Sequence, residues 1–488
     1  MKTPTIVTLG ELKATKYTAK TIRDEMRDNL LKHLKAKKIW YQGVIGYEET
    51  VIPQLEAAIL AGHNINFLGL RGQAKTKMAR MMVNLLDEYV PVLKGSLLNE
   101  DPLNPISKYG FDLIEENGDA TPIEWLHRND RYSEKLATPD VSVADLIGDI
   151  DPIKAMNLKL SFADADVIHY GLIPRSNRGI FVINELPDLQ ARIQVALFNV
   201  LQEKDVQIRG FNIRLPLDVA FVFTANPEDY TNRGSIVTPL KDRIQSQILT
   251  HYPSTLELGL KISDQESKVP KGAEKINLDF VVKSIVEQVA VEARNSEYVD
   301  EKSGVSARLT ISLREAVLAS ALRRMSINSD KKDVVRISDI FASIQAINGK
   351  VELVYEGDQE GPERVSNRLI SDAIATIGEI TFAKHFDEKG DLDEALLLIM
   401  KWFEAHHIFV PANCPFNEYQ LLLDLDVFDA IEELSIFDTR ALGVEVLLHT
   451  LASQNKLNAQ YDAHGANFSD LFKDDMFDNL DDDDNEDY

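Results

Sequence analysis

The 488-residue chain has one cysteine, Cys414, so no disulfide can form within it. A lone thiol suits a reducing compartment, and neither a cysteine cage nor an HExxH pair is present to hold zinc. No apolar run approaches the roughly 20 residues a membrane-spanning helix needs. The opening MKTPTIVTLGELK also lacks the apolar core of a secretory leader. Cationic charge is short as well: 53 Lys and Arg stand against 78 Asp and Glu, for a formal net charge of −25. Such a surface repels phosphate backbones and anionic headgroups, which argues against a nucleic-acid or membrane partner. The expectation is a cytoplasmic globular chain. Its 44% hydrophobic content is enough for the cores of two to four domains.

What is present is concentrated in one stretch, residues 66–76, reading NFLGLRGQAKT. Gly69, Gly72, Lys75 and Thr76 fit the phosphate-loop pattern GxxxxGK[ST], with Ala74 where the last glycine belongs. Glycines let backbone N–H groups close on phosphate oxygens, the lysine ammonium reaches the β and γ oxygens, and the hydroxyl ligates magnesium. The methyl of Ala74 is one that a right-handed backbone tolerates. An apolar strand precedes the loop, and Met78, Met81, Met82, Leu85 and Leu86 recur at helical spacing after it. The expected ligands are ATP and Mg2+, held by Gly69, Gly72, Gln73, Ala74, Lys75, Thr76 and Lys77.

A second apolar run, residues 179–183, ends in Asn184 and Glu185. It reads as a buried strand that delivers a carboxylate to the ligand-bearing edge of an α/β sheet, where Glu185 can orient and deprotonate water. Asn184 stands where an aspartate is usual for magnesium; its amide oxygen can accept a bond from metal-bound water but brings no charge. Alternation across residues 206–215 suggests a β-hairpin. A further strand, 219–224, leads to Asn226, and Arg233, Lys241 and Arg243 follow.

In order and spacing, GLRGQAKT, GIFVINE, the hairpin, TANPEDY and LKDR resemble AAA+ ATPases of the MoxR and magnesium-chelatase ATPase-subunit type, over about residues 40–350. The resemblance implies an α/β P-loop core with a parallel sheet between helices, an insertion within 94–165, and an α-helical lid. It also implies a self-assembled ring of six with ATP between neighbours. By position, Lys75 and Thr76 would hold phosphate and magnesium, with Asn184 as the second metal-side group and Glu185 as the base. Asn226 would be the water-positioning sensor. Arg243, ahead of Arg233, would be the finger offered to a neighbour's ATP. Arg308 in GVSAR, or else Arg314, would be the lid sensor. The implied partner is a client or metal-adhesion-domain protein, and alternatives are a weakly hydrolysing scaffold or a chelatase motor.

The expected order is a helical segment at 1–43, the nucleotide domain at 44–253, the lid at 254–354, a further mostly helical region at 355–468 after a linker near 355–362, and a disordered acidic tail at 469–488.

Overall fold

A computed structural model of the chain describes residues 4–159, 165–208, 214–227, 235–386, 392–461 and 464–471. Arg209 at the expected hairpin tip, Arg233 and the acidic stretch from 472 lie outside the described residues. Two compact units divide the chain, Met1–Tyr252 and Pro253–Tyr488. Among the described residues no helix is long and apolar enough to cross a membrane.

The first unit is built on five parallel strands: β1 (Ile65–Leu68), β2 (Tyr132–Leu136), β3 (Gly179–Asn184), β4 (Val219–Ala225) and β5 (Ser246–Leu249), in the order β5-β1-β4-β3-β2. The register sets Ile65 beside Val222 and Ser246, Val219 beside Gly179, and Ile180 beside Tyr132. Side chains alternate across a strand. Phe181, Ile183, Phe221 and Phe223 therefore enter one apolar cluster, while Ile180, Val182, Ala220 and Val222 enter another on the opposite face. A parallel sheet covered on both faces needs such continuous apolar strands.

Helices α1 (Ile22–Lys35), α2 (Val51–Ala61) and α3 (Lys75–Met81) pack on the second face through Met26, Leu30, Leu55 and Met78. The N-terminal segment thus belongs to the sheet's own core. On the other face lies α4 (Ala191–Gln202), followed in sequence by α5 (Thr238–Arg243). Short strands Asp205–Gln207 and Arg214–Pro216 pair antiparallel just after α4.

The stretch 94–165, expected to be irregular with short elements of its own and to hold an insertion in part of its length, contributes β2, the edge strand of the central sheet. Its sequence, YSEKL, is only half-buried, so no apolar run advertised it. The linker expected at 355–362 is helical: Tyr355–Glu360 forms one helix, and Pro362 opens the next, with Gly361 at φ +89° between them. Proline at the first helical position and acids Glu356 and Asp358 in a first turn favour helix where composition alone suggested coil.

The second unit packs helices α6 (Phe280–Asn295), α7 (Arg308–Ile327), α8 (Pro362–Thr381) and α9 (Arg440–Ser453) around one apolar cluster that runs from Ala273 to Phe468. Strands β6 (Ile408–Pro411), β7 (Asn458–Tyr461) and β8 (Gly465–Ser469) add a small antiparallel sheet, ordered β6-β8-β7, that the helical pattern of the region did not announce.

Candidate functional site

The site forms where β1 ends. Ile65 and Phe67 are anchored in the core, and the chain then turns through residues 69–74 into α3. Gly69 cannot be replaced in place: a Cβ there would lie 2.0 Å from Thr250 Oγ1 and 2.2 Å from Gln73 Oε1. Gly72 has φ +75°. Ala74 is also left-handed, at φ +54° and ψ 16°, which overturns the expectation that its methyl sits on a right-handed backbone. A left-handed L-residue costs about 1–2 kcal/mol, partly offset by the lower unfolded-state entropy of alanine. Ala74→Gly is therefore expected to stabilise the chain by about 0.5–1 kcal/mol. Denaturant midpoints check this, and a lower midpoint would contradict it.

The loop is braced from both sides by residues that sequence reasoning missed. The Tyr47 hydroxyl lies 3.0 Å from Gln73 O and 2.8 Å from His251 O. Burial pushes the Tyr47 pKa up to about 12, so its proton stays available to donate. Thr250 Oγ1 donates to Gln73 Oε1 at 2.7 Å, Tyr252 Oη donates to Arg71 O at 3.0 Å, and Gly69 N donates to Ala225 O at 3.2 Å. The only sequence signal was position: Tyr47 in the segment before α2, and Thr250 to Tyr252 directly after a strand, SQIL, too polar to stand out.

Lys75 Nζ donates to the carbonyls of Gly69 and Leu70, the latter at 2.8 Å. One residue on, Thr76 Oγ1 donates to Asn184 Oδ1 at 3.2 Å, joining the start of α3 to the tip of β3. Thr224 Oγ1 donates to the same Asn184 oxygen at 3.2 Å and accepts the Glu185 N–H at 3.1 Å. Glu185 is exposed and left-handed, φ +55°, a strained conformation of the kind that gathers at functional sites. Asn226 follows the last residue of β4. The phosphate loop, Asn184, Glu185 and Asn226 thus share the carboxyl edge of β1, β3 and β4, where α/β sheets bind ligands. Lys77 lies half-buried on α3.

The Thr76 hydroxyl and the Asn184 amide are hard oxygen donors, converging as magnesium requires of a protein that supplies one or two ligands and leaves the rest to water and phosphate. The residues fit the ion. Among the described residues no group of three or more His, Cys, Asp or Glu is placed to hold a metal elsewhere.

Of the expected arginines in the first unit, Arg243 makes its described contacts on α4 and α5. Arg243, the last residue of α5, donates to Pro239 O at 2.7 Å and Gln202 Oε1 at 3.0 Å, with its guanidinium 4.9 Å from the Phe198 ring. In the second unit, Arg308 opens α7 and is exposed, whereas Arg314 pairs with Asp264 at 2.5 Å.

Residues 157–248 match the family model of the sigma-54 interaction domain. Among solved structures, the chain is similar to a candidate ATPase of Cytophaga hutchinsonii at 17% identity, over 74% of this chain and 97% of that one, with a TM-score of 0.30. A complex of the magnesium chelatase subunits BchI and BchD gives 17% identity over 65% and 98%, with a TM-score of 0.32. NtrX of Brucella abortus gives 13% over 62% and 57%, with a TM-score of 0.32. At these scores the likenesses add nothing to what the sheet itself shows. With the phosphate-loop strand set between β5 and β4, and β4 separating it from the acid-tipped β3, the first unit is a parallel α/β fold of the P-loop type.

Proposed function

We propose that the first unit binds ATP with magnesium and hydrolyses it, as part of a self-assembled ring of the MoxR or magnesium-chelatase type that remodels or activates a partner protein. The observation that carries the reading is the contact chain Thr76–Asn184–Thr224–Glu185, which gathers a hydroxyl, an amide oxygen and a carboxylate-bearing turn beside the phosphate loop. A fold that only needed a turn between β1 and α3 would have no use for that convergence. Lys75 would leave the Gly69 and Leu70 carbonyls for phosphate oxygens, and Glu185 would take a proton from the attacking water. Thr76 and Asn184 would hold magnesium, whose chemistry is to offset charge on the phosphate oxygens. Arg243, whose described contacts lie on α4 and α5, suits a role toward a neighbour's nucleotide, and Arg308 is the exposed candidate for the lid sensor.

Asn184 favours a second reading, a nucleotide-gated scaffold that binds ATP and turns it over slowly. Magnesium-dependent phosphate release by the full chain, at concentrations that permit assembly, separates the two. Asn184→Asp is expected to lower the magnesium concentration for half-maximal activity by about tenfold, because a charged acceptor replaces a neutral one. Native turnover that already saturates with magnesium supports the hydrolase. Turnover absent from the native chain and restored by Asn184→Asp supports the scaffold.

A further inference from the structure

The second unit contains a cavity of about 420 Å³, within the range of small-molecule sites. Helix α9 supplies Glu445 and His449 to its lining, one helical turn apart and so on one face. Both are almost wholly buried, at 1% and 4% exposure. Among the described residues no lysine or arginine lines the cavity.

The other buried charges near the cavity lining are paired. Beneath the cavity lining, Arg324 pairs with Asp333 and, at 2.7 Å, with Asp339, while Arg336 pairs with Asp333 at 3.4 Å. Two buried guanidinium groups thus meet two buried carboxylates. Glu445 is a third acid. Its Oε2 accepts the Tyr419 hydroxyl at 2.6 Å and the Ile337 N–H at 3.4 Å, and its Oε1 has no hydrogen-bond partner among the described residues. Burial raises the Glu445 pKa, which favours its neutral form, so a bound cation would draw it to the charged one; burial holds the pKa of His449 down to about 3 and keeps that ring neutral.

Beside His449 the wall carries two aromatic rings, Phe341 and Tyr461. His449 stacks on Tyr461 with ring centroids 5.4 Å apart and on Phe341 at 5.9 Å, while Phe341 and Tyr461 are 5.3 Å apart. His449 Nδ1 is 2.9 Å from Tyr461 Oη, which leaves Nε2 without a partner among the described residues. Aromatic faces attract cations, and a buried carboxylate is satisfied best by a charged donor.

We infer that this cavity is a binding site for a small organic cation, an ammonium or guanidinium compound whose charged head meets Glu445 and whose body lies against Phe341 and Tyr461. The site lies wholly within the second unit and is independent of the nucleotide reading. Ser371 and Asn367 on α8 offer further polar contacts from the lining.

The test is calorimetric titration of the full chain with n-butylammonium, n-butylguanidinium, butyrate and 1-butanol. At least one of the two cations is expected to bind saturably, and butyrate and butanol are not. Glu445→Gln is expected to weaken the cation by at least tenfold. Ser371→Phe, which fills the cavity without touching Glu445, should abolish binding, with near-UV circular dichroism confirming that each variant is folded. Failure of both cations to bind the native chain, binding of butyrate in their place, or affinity unchanged in the folded variants would overturn the assignment. If Glu445→Gln does not fold, the native probe series and Ser371→Phe decide it.

Discussion

Glu185→Gln is expected to lower steady-state phosphate release by about 10²–10³-fold while leaving ATP affinity within about threefold, the signature of a lost general base. The amide keeps the shape and hydrogen-bonding reach of the side chain and removes its capacity to take a proton. Binding should survive because the groups that would hold phosphate, the loop amides between β1 and α3 and Lys75 at the start of α3, stand apart from Glu185 on the turn after β3. That turn is held independently of the side chain: the Glu185 N–H is fixed on Thr224 Oγ1, and Thr224 is buried within β4. The left-handed backbone at Glu185, φ +55°, directs the residue out of the strand at the sheet's carboxyl edge. Phosphate release paired with a fluorescent-nucleotide titration reads the two effects separately. Equal turnover in the native and variant proteins would remove Glu185 from the chemistry, and a large loss of affinity would make it a binding group instead.

The parts of this site legible in the sequence were those that announce themselves locally. Central strands β3 and β4 are continuous apolar runs because both faces are covered, and a run of that kind ending in Asn184–Glu185 or Ala225–Asn226 can be placed without a structure. Edge strands β2 and β5 escaped because each has exposed positions and polar residues, YSEKL and SQIL. The bracing of the loop escaped for a different reason. Tyr47, Thr224 and Thr250 are ordinary residues until folding brings them to Gln73 and Asn184 from positions 26 to 177 residues away. Backbone handedness was equally hidden: nothing in GQAKT distinguishes a right-handed from a left-handed Ala74. In the second unit, Glu445 and His449 read as part of an apolar helix, and only the packing of α8, β7 and β8 around α9 encloses them beside a cavity.

Arg131→Ala is expected to destabilise the chain by about 3–5 kcal/mol, because it strips the counter-charge from a buried acid. Arg131 and Glu25 are 3% and 5% exposed and form a two-pronged pair, with Nη1 to Oε1 at 2.7 Å and Nη2 to Oε2 at 2.6 Å. Glu25 also accepts the Asp87 N–H at 2.6 Å, and Arg131 Nε donates to Arg178 O at 2.8 Å. One pair thus ties α1, the end of the phosphate-loop helix region and the starts of β2 and β3 together. Replacing both partners, Glu25→Leu with Arg131→Met, is expected to recover most of the loss, since packed apolar groups leave no unpaired charge. Arg131 and Arg178 each precede a strand's first residue, at the edge of the parallel sheet opposite the phosphate loop. Nucleotide affinity of the folded Arg131→Ala fraction should therefore match the native chain while its denaturant midpoint falls. A loss of affinity in the folded fraction would show that strain at the amino ends of β2 and β3 reaches Asn184 and Glu185 at their carboxyl ends.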